Sequence, residues 1–191
     1  MKAGKIDRRV KYTTYLLRES LISLMQTTPI SKISVKRLCE GADINRSTFY
    51  AHYTDPYDLL QKLEQEVVAE LNEYINSHET SRHSEMATQI LKQVLEYAAK
   101  NSGLFKVLLG ENSDAQFQED IMALAQQKMI ADVRNAQNLD ARISEYLQCF
   151  IISGALKIIE KWLLDGMVET PQQMAELISK LLFQGISFFF D

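Results

Sequence analysis

Ser34–Tyr53 reads S-V-K-R-L-C-E-G-A-D-I-N-R-S-T-F-Y-A-H-Y. Ser34 is a good N-cap for a helix over Val35–Gly41, because its hydroxyl can accept a bond from an unsatisfied backbone N–H of the first turn. Gly41-Ala42-Asp43 makes a tight corner, at which Asp tolerates the left-handed backbone less easily than Gly. A second short helix follows over Asn45–His52. Leu38 and Ile44 are spaced to pack between the two helices, and Phe49 and Tyr53, four residues apart, face a neighbouring helix. The remaining face of the second helix carries Arg46, Ser47, Thr48, Tyr50 and His52. Arg matches the paired acceptors of a guanine edge, Ser and Thr contact bases or phosphates, and Tyr and His suit phosphate contacts that fix orientation. A polar helix braced by a compact apolar partner is what a DNA major groove admits. The competing reading is an ordinary helical hairpin with a solvated outer face.

Working outward, the chain reads as helical throughout. A loose basic arm with Lys2, Lys5, Arg8, Arg9 and Lys11 leads into a first helix over Arg8–Thr27, with Val10, Leu17, Leu21, Leu24 and Met25 at helical spacing. Thr28-Pro29 stops it. Asp55 caps a long fourth helix that starts at Pro56, where a missing N–H costs nothing, and runs to Ser77. After a polar break at Glu79–Ser84, helices are predicted over Glu85–Asn101, Gly103–Leu109, Ala115–Asn135, Ala141–Asp165 and Pro171–Phe190. Asp114, Asp140 and Thr170 are their caps, and Gly103, Gly110 and Gly166 mark turns.

Composition agrees. The 191 residues include seven Gly and three Pro, few enough to favour an all-helical chain. The net charge of −4 hides an asymmetry: residues 1–62 hold eleven Lys/Arg against six Asp/Glu (+5), and residues 63–191 hold ten against nineteen (−9). A basic amino-terminal module on an acidic body suits nucleic-acid binding at one end, although solvated faces can be asymmetric by chance. Cys39 and Cys149 read as two buried structural thiols, with no disulfide framework and no metal-ligand spacing. His78 and His83 do not share a helical face, so no metal site is expected. No signal peptide opens the chain and no stretch reaches the length of a spanning helix, so the expected location is cytoplasmic. No phosphate loop or nucleophile motif is present, and Glu64, Glu66, Glu70 and Glu73 read as a solvated helix face; no enzyme activity and no cofactor are expected.

The run T-P-I-S-K-I-S-V-K-R-L-C-E-G-A-D-I-N-R-S-T-F-Y-A-H-Y-T-D-P-Y-D-L-L resembles the amino-terminal domain of TetR-family transcriptional regulators. The ordered features are Ser34-Val35, Leu38, Ala42, Ile44, Ser47-Thr48-Phe49-Tyr50, His52-Tyr53 and Leu59-Leu60, and the resemblance covers Arg8–Leu63. It implies an all-α fold: a three-helix DNA-binding domain with a helix-turn-helix over residues 1–55, then a ligand-binding and dimerisation domain of about six helices over 56–191. It further implies a ligand-responsive regulator, most often a repressor, that binds a pseudo-palindromic double-stranded DNA operator as a homodimer and is released by a small-molecule effector. By position, Lys36 and Arg46 match base-reading places, with Ser47 and Ala51 beside them. Ser34, Thr48, Tyr50 and His52 match phosphate-holding places. Two departures stand out: Pro56 sits where the family usually has a phosphate-gripping Lys, and Asp43 replaces the common Gly of the turn. Some relatives of this kind have lost operator binding and act through partner proteins, which is the alternative reading.

In the body, Tyr97, Phe105, Phe117, Tyr146, Phe150 and Trp162 are either plain core or the lining of an apolar ligand cavity. Two carboxyl-terminal helices resemble the family's dimer-forming pair. On them, Ile152, Gly154, Ala155, Ile158 and Ile159 form one close-packing candidate face, and Phe183, Ile186 and Phe190 another.

Overall fold

The computed structural model describes residues 3–76, 84–110, 115–133 and 140–184. All regular structure among them is helical. The helices are α1 (Ala3–Met25), α2 (Val35–Ala42), α3 (Arg46–Tyr50), α4 (Pro56–Asn76), α5 (Ser84–Lys100), α6 (Ser102–Leu109), α7 (Ala115–Val133), α8 (Ala141–Leu164) and α9 (Pro171–Gln184). A short 3-10 turn, Ile30–Lys32, links α1 to α2.

The first helix differs from expectation at both ends. It begins at Ala3, not Arg8, since residues 3–7 hold no proline and one glycine to interrupt it. It closes at Met25, ahead of Pro29. Val10, expected on its apolar face, is exposed, because the core begins only with Leu17, Leu21 and Met25. Gly103, expected in a turn, lies in the first turn of α6. Asp114, Asn135, Ser77, His78 and His83 lie outside the described residues.

Packing fixes the short helices where propensity alone could not. Leu17, Leu21, Leu38 and Phe49 are fully buried at the junction of α1, α2 and α3. Helix α2 comes so close to α1 that a Cβ added at Gly41 would lie 2.5 Å from Ser20 Oγ. The buried Ser20 hydroxyl donates to Leu38 O at 2.8 Å, so one polar bond and one glycine set that approach. Asp43 ends α2 in the left-handed conformation (φ 52°, ψ 46°), and its N–H closes on Cys39 and Glu40 carbonyls.

One apolar cluster continues from this junction along α4, through Leu59, Leu63 and Val67, into Leu95, Leu108, Phe117 and Leu163 of the body. In the body α9 lies along α5, where Thr88 and Ser179 hydroxyls bond at 2.9 Å. Helix α8 packs on α6 and α7, and α6 also reaches back to α1. Glu64 departs from the solvated row expected of α4: it is buried, because two residues along a helix turn the side chain by about 200° and Glu64 faces the core while Glu66 and Glu70 face out. Cys149 departs likewise; it is exposed on α8, whereas Cys39 is buried.

Candidate nucleic-acid interface

Helix α3 is a single stretch of five residues, too short to hold itself, and its amino end is capped from the sequence. Asn45 Oδ1 accepts from Ser47 N at 3.0 Å and from Ser47 Oγ at 3.1 Å. Its inner face is anchored by Phe49, which is fully buried and meets Tyr50 edge-on at 5.5 Å and Tyr53 at 5.7 Å. Arg46, Ser47 and Tyr50 are left exposed, and Thr48 and His52 half-buried.

Lys36 on α2 and Arg46 on α3 line one shallow groove of about 380 Å³, with Cys39 and Ile44 at its floor. Lys36 pairs loosely with Glu40 at 3.8 Å across exposed helix surface, a contact too weak to immobilise it. Burial pushes the Cys39 thiol up in pKa, against the opposing pull of the Arg46 guanidinium. The thiol therefore stays neutral beside Arg46 and does not cancel its charge.

Two of the remaining candidates already have internal partners. Ser34 Oγ caps α2 by accepting from Arg37 N at 3.2 Å, and the Ser47 hydroxyl is turned towards Asn45. His52 lies against Tyr53 at 6.3 Å between ring centroids. Lys62, which the sequence did not single out, holds the end of this unit. Its Nζ donates to His52 O at 3.1 Å, pairs with Asp58 at 3.1 Å and sits 5.0 Å above the Tyr53 ring. The i,i+4 spacing of Asp58 and Lys62 was the available signal. Pro56 is buried at the first position of α4, with no cationic group there.

The aromatic candidates of the body divide. Phe105, Phe117 and Trp162 are buried, and Trp162 Nε1 donates to Glu169 O at 2.9 Å, so they are core. Tyr146 and Phe150 are exposed on α8 (66% and 78%). They point away because residues 143, 146, 147, 150 and 154 share a stripe opposite the core-facing residues of that helix. Tyr97 borders a groove of about 400 Å³ that Tyr74 also lines.

The dimer candidates divide for the same reason. Gly154 is exposed, with nothing within 4 Å of an added Cβ, and Ala155 and Ile158 are half-buried. Ile152 and Ile159 are buried within the chain itself (4% and 8% exposed). On the same stripe of α8, Ile143 and Leu147 are exposed apolar residues that the sequence reading missed. The Phe183 side chain, Ile186 and Phe190 lie outside the described residues, though position 183 falls within α9.

Comparison with known proteins agrees with this layout. A TetR-type family model, described as a transcriptional regulator C-terminal region, matches residues 85–184. Nucleoid occlusion factor SlmA of Glaesserella parasuis serovar 5 is 25% identical over 105 residues, 54% of this chain and 52% of that protein. The chain spans about half the length of the curated relatives it matches. Among solved structures, a TetR transcriptional regulator from Streptococcus agalactiae superposes with a TM-score of 0.66 at 21% identity, covering 95% of this chain and 99% of that one. The transcriptional regulator FadR from Bacillus subtilis, solved in complex with stearoyl-CoA, superposes with a TM-score of 0.68 at 12% identity, covering 90% and 98%.

Proposed function

Because the chain belongs to the TetR family of transcriptional regulators, we propose that it acts as a repressor: a homodimer on a pseudo-palindromic operator, released by a small-molecule effector. The observation that carries the DNA-binding half is the groove shared by Lys36 and Arg46. Two cationic side chains from consecutive helices stand exposed on a rigid, capped, core-anchored unit. In this reading Lys36, Arg46 and Ser47 meet base edges, and Ser34, Thr48, Tyr50 and His52 hold phosphates. Residues 1–55 form the reader and 56–191 the effector and dimer domain, and the protein works in the cytoplasm. No helix among the described residues is long and apolar enough to cross a membrane.

Dimerisation is supported by α8, where Ile143, Tyr146, Leu147 and Phe150 stand exposed along one side of the helix. A two-fold axis through that stripe sets two readers on one duplex, and half-site spacing then follows from the separation of the two α3 helices. Effector control is supported by the stearoyl-CoA complex of a protein of like fold. The mechanism is a population shift: the effector binds a dimer with altered reader spacing more tightly than the operator-bound one, and α4 carries the change because it runs unbroken from reader to body.

Selection of bound duplexes from a random pool at two salt concentrations tests the reading. The expected result is enrichment of an inverted repeat, with log affinity falling linearly as log salt rises. No enrichment over random duplex at low salt transfers the case to a partner-binding regulator of the same fold, which the buried Pro56 at the start of α4 favours.

A further inference from the structure

The groove beside Tyr97 lies on the outer seam of α4 and α5 and has features that plain surface packing does not require. Tyr74 of α4 lines it together with Gln93, Glu96, Tyr97 and Lys100 of α5 and the adjoining Asn101. The Tyr74 and Tyr97 rings are 5.6 Å apart, and Tyr97 meets the buried Phe105 at right angles at 5.5 Å, which fixes its ring. Gln93 Oε1 is buried and has no hydrogen-bond partner among the described residues. An acceptor withdrawn from water without a donor costs stability, and a ligand N–H removes that cost.

The charge around the groove selects the donor. Glu96 lines it, and Glu70 adjoins it through the Tyr97 hydroxyl, which donates to that carboxylate. Burial and the Glu70 contact hold the Tyr97 phenol protonated. Lys100 is the cation among the lining residues, and Lys92 stands off Glu96 at 3.8 Å. Two carboxylates, a buried amide oxygen and two aromatic faces suit a cation that carries N–H groups.

The groove is also connected to the reader. Glu66 lies one turn before Glu70 on α4 and pairs with Arg18 of α1 at 2.7 Å. Arg18 thereby ties α4 to α1, and α1 packs on α2 of the reader. Tyr53 is itself tied to α1 through a Thr14 hydrogen bond.

We propose that the α4–α5 groove binds a small organic cation, an alkylammonium or amidinium, through Gln93, Glu96 and the Tyr74 and Tyr97 rings, and that its charge acts on the reader through Glu70, Glu66 and Arg18. The regulatory half rests on the DNA-binding reading; the binding half does not.

Calorimetry on the full chain with benzylamine, benzyl alcohol and benzoate tests the binding half without DNA. Benzylamine is expected to bind about 10-fold or more tighter than the other two, the scale of one cation–π contact with a charge-assisted bond. Gln93→Leu is expected to raise the melting temperature, since it removes an unpartnered acceptor, and to abolish that preference. Equal affinity for the alcohol, tighter binding of benzoate, or a Gln93→Leu variant that still prefers the amine overturns the site. The regulatory half is read from operator dissociation. Benzylamine is expected to accelerate it in the wild type and not in Glu66→Gln, whose amine affinity stays unchanged. A Glu66→Gln variant that responds like the wild type overturns the relay and leaves the site standing. Absence of operator binding altogether overturns the regulatory half and leaves the calorimetry decisive for the groove.

Discussion

Arg46 and Tyr50 stand one turn apart on α3, both exposed, and the roles proposed for them differ with their surroundings. Arg46 faces the groove it shares with Lys36, where a guanidinium can fork onto two base acceptors. Tyr50 packs edge-on against the Phe49 ring at 5.5 Å, which aims its hydroxyl from a fixed base, a geometry that suits a phosphate better than a varied base edge. Arg46→Ala is therefore expected to weaken specific operator binding by about 1–3 kcal/mol and to relax base preference at one position. Tyr50→Phe is expected to weaken binding to many duplexes alike. Affinity measured on a set of single-base operator variants separates the two, and the opposite pattern means that the roles are exchanged. At this scale the sequence was most legible where side-chain type and local spacing coincide, as at Asn45, Ser47 and Phe49. It was least legible at Lys62, whose three partners are His52 and Tyr53 of the segment that follows α3 and Asp58 of its own helix.

The helix ends follow local chemistry, and the start of α4 is the clearest instance. Asp55 Oδ1 accepts from Asp58 N at 2.9 Å, and Asp58 Oδ2 accepts from Thr54 N at 2.9 Å, so each carboxylate satisfies a backbone donor beside the other. The Thr54 N–H first, and the Lys62 ammonium second, hold the Asp58 carboxyl below its ordinary value of 3.8. A carboxyl with a lowered folded pKa stabilises the fold above its unfolded value and loses that contribution as pH falls through the folded one. Stability is thus expected to drop on acidification below about pH 4, within the range of unfolded Asp. Asp58→Asn is expected to lower the melting temperature at neutral pH and to flatten the acid limb attributable to this site. Thermal melts across pH 2–7, the span that brackets ordinary carboxylate titration, check this; an unchanged acid limb counts against Asp58 as its source. Such caps are readable because they depend on residues two to four positions apart. The early start of α1 was not, since no cap or breaker marks Ala3.

For the molecule as a whole, the proposed meeting of two chains turns on α8. Its stripe of Ile143, Tyr146, Leu147 and Phe150 is exposed, while Ile152 and Ile159 are spent on the chain's own core. Phe150→Glu is expected to weaken dimerisation by about 100-fold or more, because it sets a charge at the centre of an apolar contact. Ile152→Val is expected to cost about 0.5–1.5 kcal/mol of stability and to leave dimerisation unchanged. Sedimentation velocity together with chemical denaturation distinguishes the two. A Phe150→Glu chain that still dimerises moves the interface elsewhere.

The all-helical class, most helix boundaries and the reader unit were determined by the sequence alone, because they rest on short-range causes: 3.6-residue periodicity, capping side chains, and a dense polar row over an apolar anchor. Tertiary structure decided the rest. Which of six body aromatics are core and which are surface depends on the direction from which neighbouring helices arrive, and one chain's periodicity does not carry that direction. Glu64 and Ile152 are buried, and Cys149 and Phe150 exposed, through the rotation of α4 and α8 about their own axes. The groove at Tyr97 exists only because α4 and α5, joined through residues 77–83, bring Tyr74 against it. Local chemistry writes the helices, and their packing sets which side of each helix meets water.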